Sequence, residues 1–300
     1  MKTGHGMSCV IAAILACLGL TRGSAAEGPN ATGVTNPFFA MCTGTRDAAH
    51  ETFAAQADML KELGYQGTDQ MGTAGIPELL AELDERGLRF FAVYTEVKID
   101  PDGPQWDTGL EDAIEALKGR DAVLWLPVTS KRFAPSSPKG DEDAVAVIRR
   151  VAEMGAKSGL RVALYPHTGH WLERVEDAVR VAQKVNRPDV GVTFNLCHWL
   201  KVDGEDLRAK LELAKPHLFM VTVNGAEVGG TDWSTLIQTL DQGTFDVCGL
   251  LGMLKEMDYK GPIGLQGYGI GGDVSANLLR SMDAWRICQK RIAVGGSTNE

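Results

Sequence analysis

Basic clusters, long apolar runs and a cysteine framework are all missing from this sequence, and each absence closes off a class of function. Thirty Lys and Arg stand against 39 Asp and Glu, a formal net charge of −9, and the basic residues never gather into a run. Nucleic acid and anionic membrane surfaces are therefore poor electrostatic matches. The apolar stretch Val10–Leu20 falls well short of the ~20 residues that a bilayer requires. Six cysteines in 300 residues do not make a disulfide scaffold. The G-x-G-x-x-G loop of dinucleotide-binding folds does not follow the first strand-like run.

What is present begins with a leader. Lys2, the apolar Val10–Leu20 and the small residues Ser24-Ala25-Ala26 have the pattern of a cleavable signal peptide over 1–26. The expected product is secreted or periplasmic, a single domain over 27–300. A lipid-modified Cys17 is the less favoured alternative, since the apolar run before it is very short. Excluding the leader removes Lys2 and Arg22 and no acid, leaving 28 basic against 39 acidic side chains, a net −11. Of the remaining cysteines, Cys248 falls near the start of one expected helix and Cys288 near the end of the next. Parallel neighbouring helices would hold these two thiols at opposite ends, so free thiols are expected.

Along the rest of the chain, strand-like apolar runs alternate with helical periodicity. The runs are Pro37–Met41, Tyr65–Asp69, Leu88–Tyr94, Ala122–Pro127, Arg161–Tyr165, Val190–Asn195, Leu218–Asn224 and Pro262–Tyr268. Between the fifth and sixth, Leu172, Val175, Val179, Ala182 and Val185 fall on one helical face. Leu63-Gly64, Arg86-Gly87 and Ser158-Gly159 mark helix ends. Eight strands with intervening helices and no linker predict an α/β fold, a single (β/α)8 TIM barrel. The polar, glycine-rich stretch from Glu227 to Thr244 is long enough to be a functional lid. Asp273, after Gly271-Gly272, suits a helix N-cap, which argues against a phosphate site there.

Chemistry on this fold is drawn from the C-terminal strand ends. His167 and His198 lie 31 residues apart, about one strand-plus-helix unit, and so at the same level of successive strands. Two imidazoles there could serve as acid and base or as metal ligands. The plainer alternative for either is a buried hydrogen bond. Glu96 and Glu227 are the carboxylates best placed to join them, against a surface ion pair with Lys98 for the first and loop solubility for the second. Tyr94, Tyr165, His170, Trp171, Asn195, Asn224, Gln266 and Tyr268 complete the expected substrate-binding rim. Trp125 reads better as a plug of the barrel core.

With these motifs, the mature chain from Asn36 to Trp285 resembles the xylose-isomerase-like TIM-barrel superfamily. That group includes sugar phosphate isomerases/epimerases and endonuclease-IV-type enzymes. The resemblance is strongest to exported members with Y-x-H, F-N-x-x-H and N-x-N-G near the rim. It implies a divalent metal held by Glu, Asp, His and Glu on strands five to eight. The matching positions here are Tyr165, Asn195, Val221 or Thr222, and Gln266. The Asp-x-x-His of strand six becomes Asn195-Leu196-Cys197-His198. Neutral oxygens hold hard divalent cations far less well than carboxylates do, so no metal set is assigned and the cofactor is left open.

Three readings follow. An enzyme on a carbohydrate or keto-sugar would use His167 and His198 to take a proton next to a carbonyl, giving isomerisation, epimerisation or, with a leaving group, lyase chemistry. A softer ion such as zinc could sit on the histidines with Glu227. A barrel without catalysis would only bind sugar. The density of titratable groups favours an enzyme with a small-molecule carbohydrate substrate, and acidity, export and the missing carboxylates argue against a nuclease. The sequence does not specify oligomeric state.

Overall fold

A computed structural model describes residue 1 and residues 33–295. The leader expected over 1–26 lies, apart from residue 1, outside the described residues. Eight parallel strands close into a barrel: β1 (Phe38–Ala40), β2 (Gly67–Met71), β3 (Arg89–Tyr94), β4 (Val123–Leu126), β5 (Arg161–Leu164), β6 (Val190–Asn195), β7 (Leu218–Val223) and β8 (Ile263–Leu265). Each pairs with its sequence neighbours, and β8 closes on β1 through Phe38–Ile263 and Ala40–Leu265. The helices are α1 (Phe53–Leu63), α2 (Ile76–Glu85), α3 (Leu110–Ala116), α4 (Asp141–Ala156), α5 (Val175–Val185), α6 (Leu196–Val202), α7 (Leu207–Ala214), α8 (Trp233–Leu236), α9 (Val247–Glu256) and α10 (Val274–Gly295). Among the described residues no helix is long and apolar enough to cross a membrane.

Strand alternation divides the core in two. Phe38, Phe90 and Leu124 face outward to the helices, while Phe39, Phe91 and Trp125 fill the barrel. Phe39 stacks on Phe91 at 4.4 Å, and Trp125 meets Tyr165 edge-on at 4.8 Å. Trp125 Nε1–H donates to Thr193 Oγ1, so the indole is buried without an orphaned donor. Gly264 makes room for this plug: a Cβ there would come within 2.7 Å of the Phe39 ring. The aromatic floor separates the two ends of the barrel, and the hollow at the C-terminal strand ends lies above it.

Boundaries differ from expectation where caps intervene. The second strand starts at Gly67 because Tyr65 belongs to the end of α1, its N–H donating to Leu60 O and its hydroxyl to Leu278 O. The ladder between β2 and β3 slips at Asp69, between Thr68 and Gln70. The eighth strand stops at Leu265, so Gln266 and Tyr268 stand in the loop after it. Asp273 caps α10 as expected, accepting from Ala276 N–H at 2.8 Å.

The expectation of free thiols at Cys248 and Cys288 is overturned: the two form a disulfide. Parallel helices of equal height would have kept them apart, but α10 has 22 residues and α9 only 10. The first turn of α9 therefore meets the last third of α10, where Arg291 also pairs with Asp246. Cys42 and Cys197 are free. Closing a 40-residue separation stabilises the barrel by on the order of 4 kcal/mol through loop entropy. Cys288→Ser, or a strong reductant, is expected to lower the urea midpoint accordingly while leaving the far-UV circular dichroism unchanged. An unmoved midpoint contradicts the assignment.

Candidate active site

The cavity above the aromatic floor has a volume of about 290 Å³. Met41, Thr43, Asp69, Met71, Tyr94, Tyr165, His167, His198, Trp233, Ile237, Gln266 and Tyr268 line it. It opens at the C-terminal strand ends, at the small end of the range of ligand pockets.

His198 owes its place to an abrupt junction. β6 runs straight into α6, and Asn195 is both the last strand residue and the helix N-cap. Asn195 Oδ1 accepts from the Cys197 thiol at 3.1 Å and from His198 N–H at 3.5 Å, and its Nδ2 donates to the Tyr165 hydroxyl. The Tyr165 oxygen thus already receives a hydrogen bond, and its own proton is free to donate. Burial raises the Tyr165 pKa well above the ordinary phenol value, so it stays a neutral donor and acceptor.

The histidines form a tight cluster, with the rings of His167 and His198 4.0 Å apart and those of His167 and His170 stacked, also at 4.0 Å. Their partners fix the tautomers. His167 Nδ1 lies 2.9 Å from Thr168 O, which can only accept, so Nδ1 carries the proton and Nε2 is a bare base. His198 Nδ1 receives Thr168 N–H at 3.3 Å, which can only donate, so the ring proton is on Nε2. Burial and then His170 lower the His167 pKa to about 4. Burial followed by the neighbouring imidazoles drives His198 well below the usual range. At neutral pH the pair is uncharged, one ring nitrogen accepting and one donating.

Asp69 is a lining residue that sequence reasoning missed. It is 1% exposed, and among the described residues that line the cavity it is the only carboxylate. Cys42 N–H donates to its Oδ1 at 2.6 Å, yet burial still raises its pKa to about 6. An acid inside an otherwise buried strand was the available signal. In the barrel order β2 is four strands from β6, so Asp69 faces the histidines from the opposite wall. Gln266 Oε1 accepts from Thr43 Oγ1 at 2.8 Å and Tyr268 N–H at 3.0 Å, leaving its NH2 for a ligand.

The other expected rim residues do not all converge. Glu96 is exposed and 3.7 Å from Lys98, and Glu227 accepts from Thr244 Oγ1 on its own loop; neither lines the cavity. Trp171 is buried with its Nε1–H on Ser137 O. Asn224 lies beneath, donating to Gly225 O and Leu236 O. It thereby ties β7 to the loop that carries α8 and delivers Trp233 to the mouth. His170 backs His167 from behind the lining. Sequence reasoning also missed Thr43, Met71, Trp233 and Ile237, which come from loops or strand tips with no periodic signature.

The donor set does not fit the divalent ion that the fold family implies. Tyr165, Asn195, Thr222 and Gln266 are all neutral, and Thr222 Oγ1 is buried without a hydrogen-bond partner. Among the described residues no three His, Cys, Asp or Glu groups converge to hold a metal.

The raised Asp69 pKa carries a stability consequence. A carboxyl titrating near 3.8 unfolded and about 6 folded gives stability that is present below 3.8 and lost as pH rises through 6. Asp69→Asn keeps the acceptor for Cys42 N–H and removes the charge. The variant is expected to gain on the order of 2 kcal/mol over the wild type between pH 4 and pH 8, read from urea unfolding. A gain that does not vary with pH contradicts the buried charge.

Comparison with known proteins places this geometry in context. A stretch of 144 residues is 26% identical to the 3-dehydroshikimate dehydratase of Pseudomonas aeruginosa, covering 46% of this chain and 23% of that protein; the match thus spans about a quarter of the relative. The structure of a 3-keto-D-glucoside 4-epimerase from E. coli superposes with a TM-score of 0.68 at 17% identity, over 85% of this chain and 99% of that one. A D-allulose 3-epimerase from Methylomonas sp. gives 0.67 at 14% identity, over 86% and 98%. At these identities the structural likeness speaks for the fold alone. The family description "Xylose isomerase-like TIM barrel" matches residues 57–286, and the chain belongs to that family.

Proposed function

We propose that the protein is an isomerase- or epimerase-like enzyme that moves a proton next to the carbonyl of a carbohydrate or keto-sugar. The observation that carries this reading is the pair of hydrogen bonds with Thr168 that assign opposite tautomers to His167 and His198, facing a carboxyl across one cavity. His198 Nε2–H donates to the substrate carbonyl oxygen and holds the charge that develops there, as a neutral imidazole can when its pKa is depressed. His167 Nε2 and Asp69 are bases on opposite walls. One takes the proton from the adjacent carbon and the other returns it to the opposite face, which inverts that centre. Tyr165 and the Gln266 amide hold hydroxyls, and Tyr94 and Tyr268 flank the ring. Glu96 and Glu227 belong to the outer rim in this scheme, away from the reacting atoms.

A lyase reading has one observation in its favour, the partial match to a dehydratase. The same first proton transfer serves it, with a group on the next carbon departing instead of the proton returning. Export, read from the leader, belongs to the same proposal. The Cys248–Cys288 disulfide supports an oxidising compartment.

Incubation with keto-sugars in deuterated water is expected to place solvent deuterium on the carbon beside the carbonyl. His167→Ala and His198→Ala should each lower that exchange by roughly 10²–10⁴-fold. Exchange undiminished in both variants contradicts the assignment. The two-base scheme needs one proton shared between His167 and Asp69, whose pKa values are about 4 and about 6. The rate kcat/KM should therefore peak between those values and fall on both sides. A profile flat from pH 4 to 8 would exclude them as the exchanging pair.

A further inference from the structure

A second hollow of about 330 Å³ adjoins the cavity, lined by residues that include Met71, Tyr94, Glu96, Lys98 and Trp106. Met71 and Tyr94 are walls of both spaces, so a ligand passing over them occupies the two at once. We propose that this outer cleft binds a second sugar ring, making the substrate a glycoside or disaccharide instead of a free monosaccharide. The proposal rests on the carbohydrate reading above and specifies its substrate class.

The cleft is built in advance of any ligand. Beyond the barrel rim the short strands Val97–Lys98 and Val128–Thr129 pair in parallel, anchored by Thr95 N–H on Trp125 O and Val97 N–H on Pro127 O, each at 3.0 Å. Alternation buries Val97 and leaves Glu96 and Lys98 exposed on either side of it. Their head groups, 3.7 Å apart, offer an acceptor and a donor to sugar hydroxyls. Lys98 N–H donates to Gln105 O at 2.7 Å, which holds the segment leading to Trp106. The Arg150 guanidinium lies 4.9 Å from the Trp106 ring centre and fixes the indole as an aromatic surface.

The mouth carries the same message. Met71, Tyr268 and Trp233, all lining the inner cavity, are 53%, 59% and 37% exposed. Large apolar groups gathered at an opening mark a surface meant to be covered. A single ring seated between Asp69 and the histidines would leave that edge bare. A ring linked to it would lie across Met71 into the outer cleft, and Glu96, too far out for the chemistry, becomes a hydroxyl contact.

Calorimetric titration of the full chain with glucose, galactose and mannose, and with maltose, cellobiose, lactose and trehalose, tests this. At least one disaccharide is expected to bind ten-fold or more tightly than every free hexose. Trp106→Ala should remove most of that advantage and leave hexose affinity unchanged. Lys98→Ala, at an exposed site, should reduce the advantage several-fold and serves if the tryptophan variant does not fold. Hexoses binding as tightly as every disaccharide would overturn the subsite while sparing the carbohydrate reading, as would equal losses for both ligand classes in the variants. Binding of none of the seven sugars would overturn the subsite, and the carbohydrate reading falls with it only where keto-sugars also take up no solvent deuterium.

Discussion

Removal of water from the top of the barrel governs the charge of the buried histidines and of Asp69 that face the cavity. In a parallel barrel the strand ends are covered by helices and loops, and here the Phe39, Phe91 and Trp125 plug seals the lower side. An imidazole or carboxyl placed between those layers loses its hydration, and the neutral form is favoured. The histidines are pushed down and Asp69 is pushed up by the same cause. Between the His167 value of about 4 and the Asp69 value of about 6, what would be two cations and an anion in water becomes a nearly uncharged set of donors and acceptors. Such a set is suited to holding a neutral polyol and stabilising charge only as it forms.

Hydrogen bonds then give those neutral groups direction. Thr168 uses its carbonyl on one histidine and its N–H on the next, so one residue sets both tautomers. Asn195 links Tyr165, Cys197 and His198, binding β5 to the first turn of α6. Where the resemblance implies carboxylates for a metal, this chain holds neutral groups: Asn195 donates to the Tyr165 hydroxyl, and Gln266 accepts from Thr43 and Tyr268. A carboxylate at Asn195 could not donate to Tyr165, so the substitution at one position fits those around it. The network fixes the first turn of α6 and with it the position of His198.

Much of the barrel was legible from sequence, since fully buried parallel strands are continuous apolar runs and helices end at glycine. The run Val190–Asn195 reads directly as β6. Strand ends were less legible where a cap competes, as at Tyr65, and the disulfide was missed because nothing in the periodicity reveals that α10 outruns α9. At the site, the level of His167 and His198 followed from their spacing, because repeat length fixes height on the barrel. Asp69 did not, because its burial depends on the slip between β2 and β3. Trp233 depends on how Asn224 fastens a long loop. Glu96 drew attention through its charge, but alternation beyond the rim turns it outward.

Proton transfer in this cavity requires His167 and His198 to be neutral and to hold opposite tautomers. Long-range nitrogen–proton correlation NMR of histidine-labelled protein at pH 7 reads this directly. Two neutral rings are expected, protonated at Nδ1 in His167 and at Nε2 in His198, with assignments made from His→Gln variants. A protonated imidazolium at either position, or the same tautomer at both, would contradict the account.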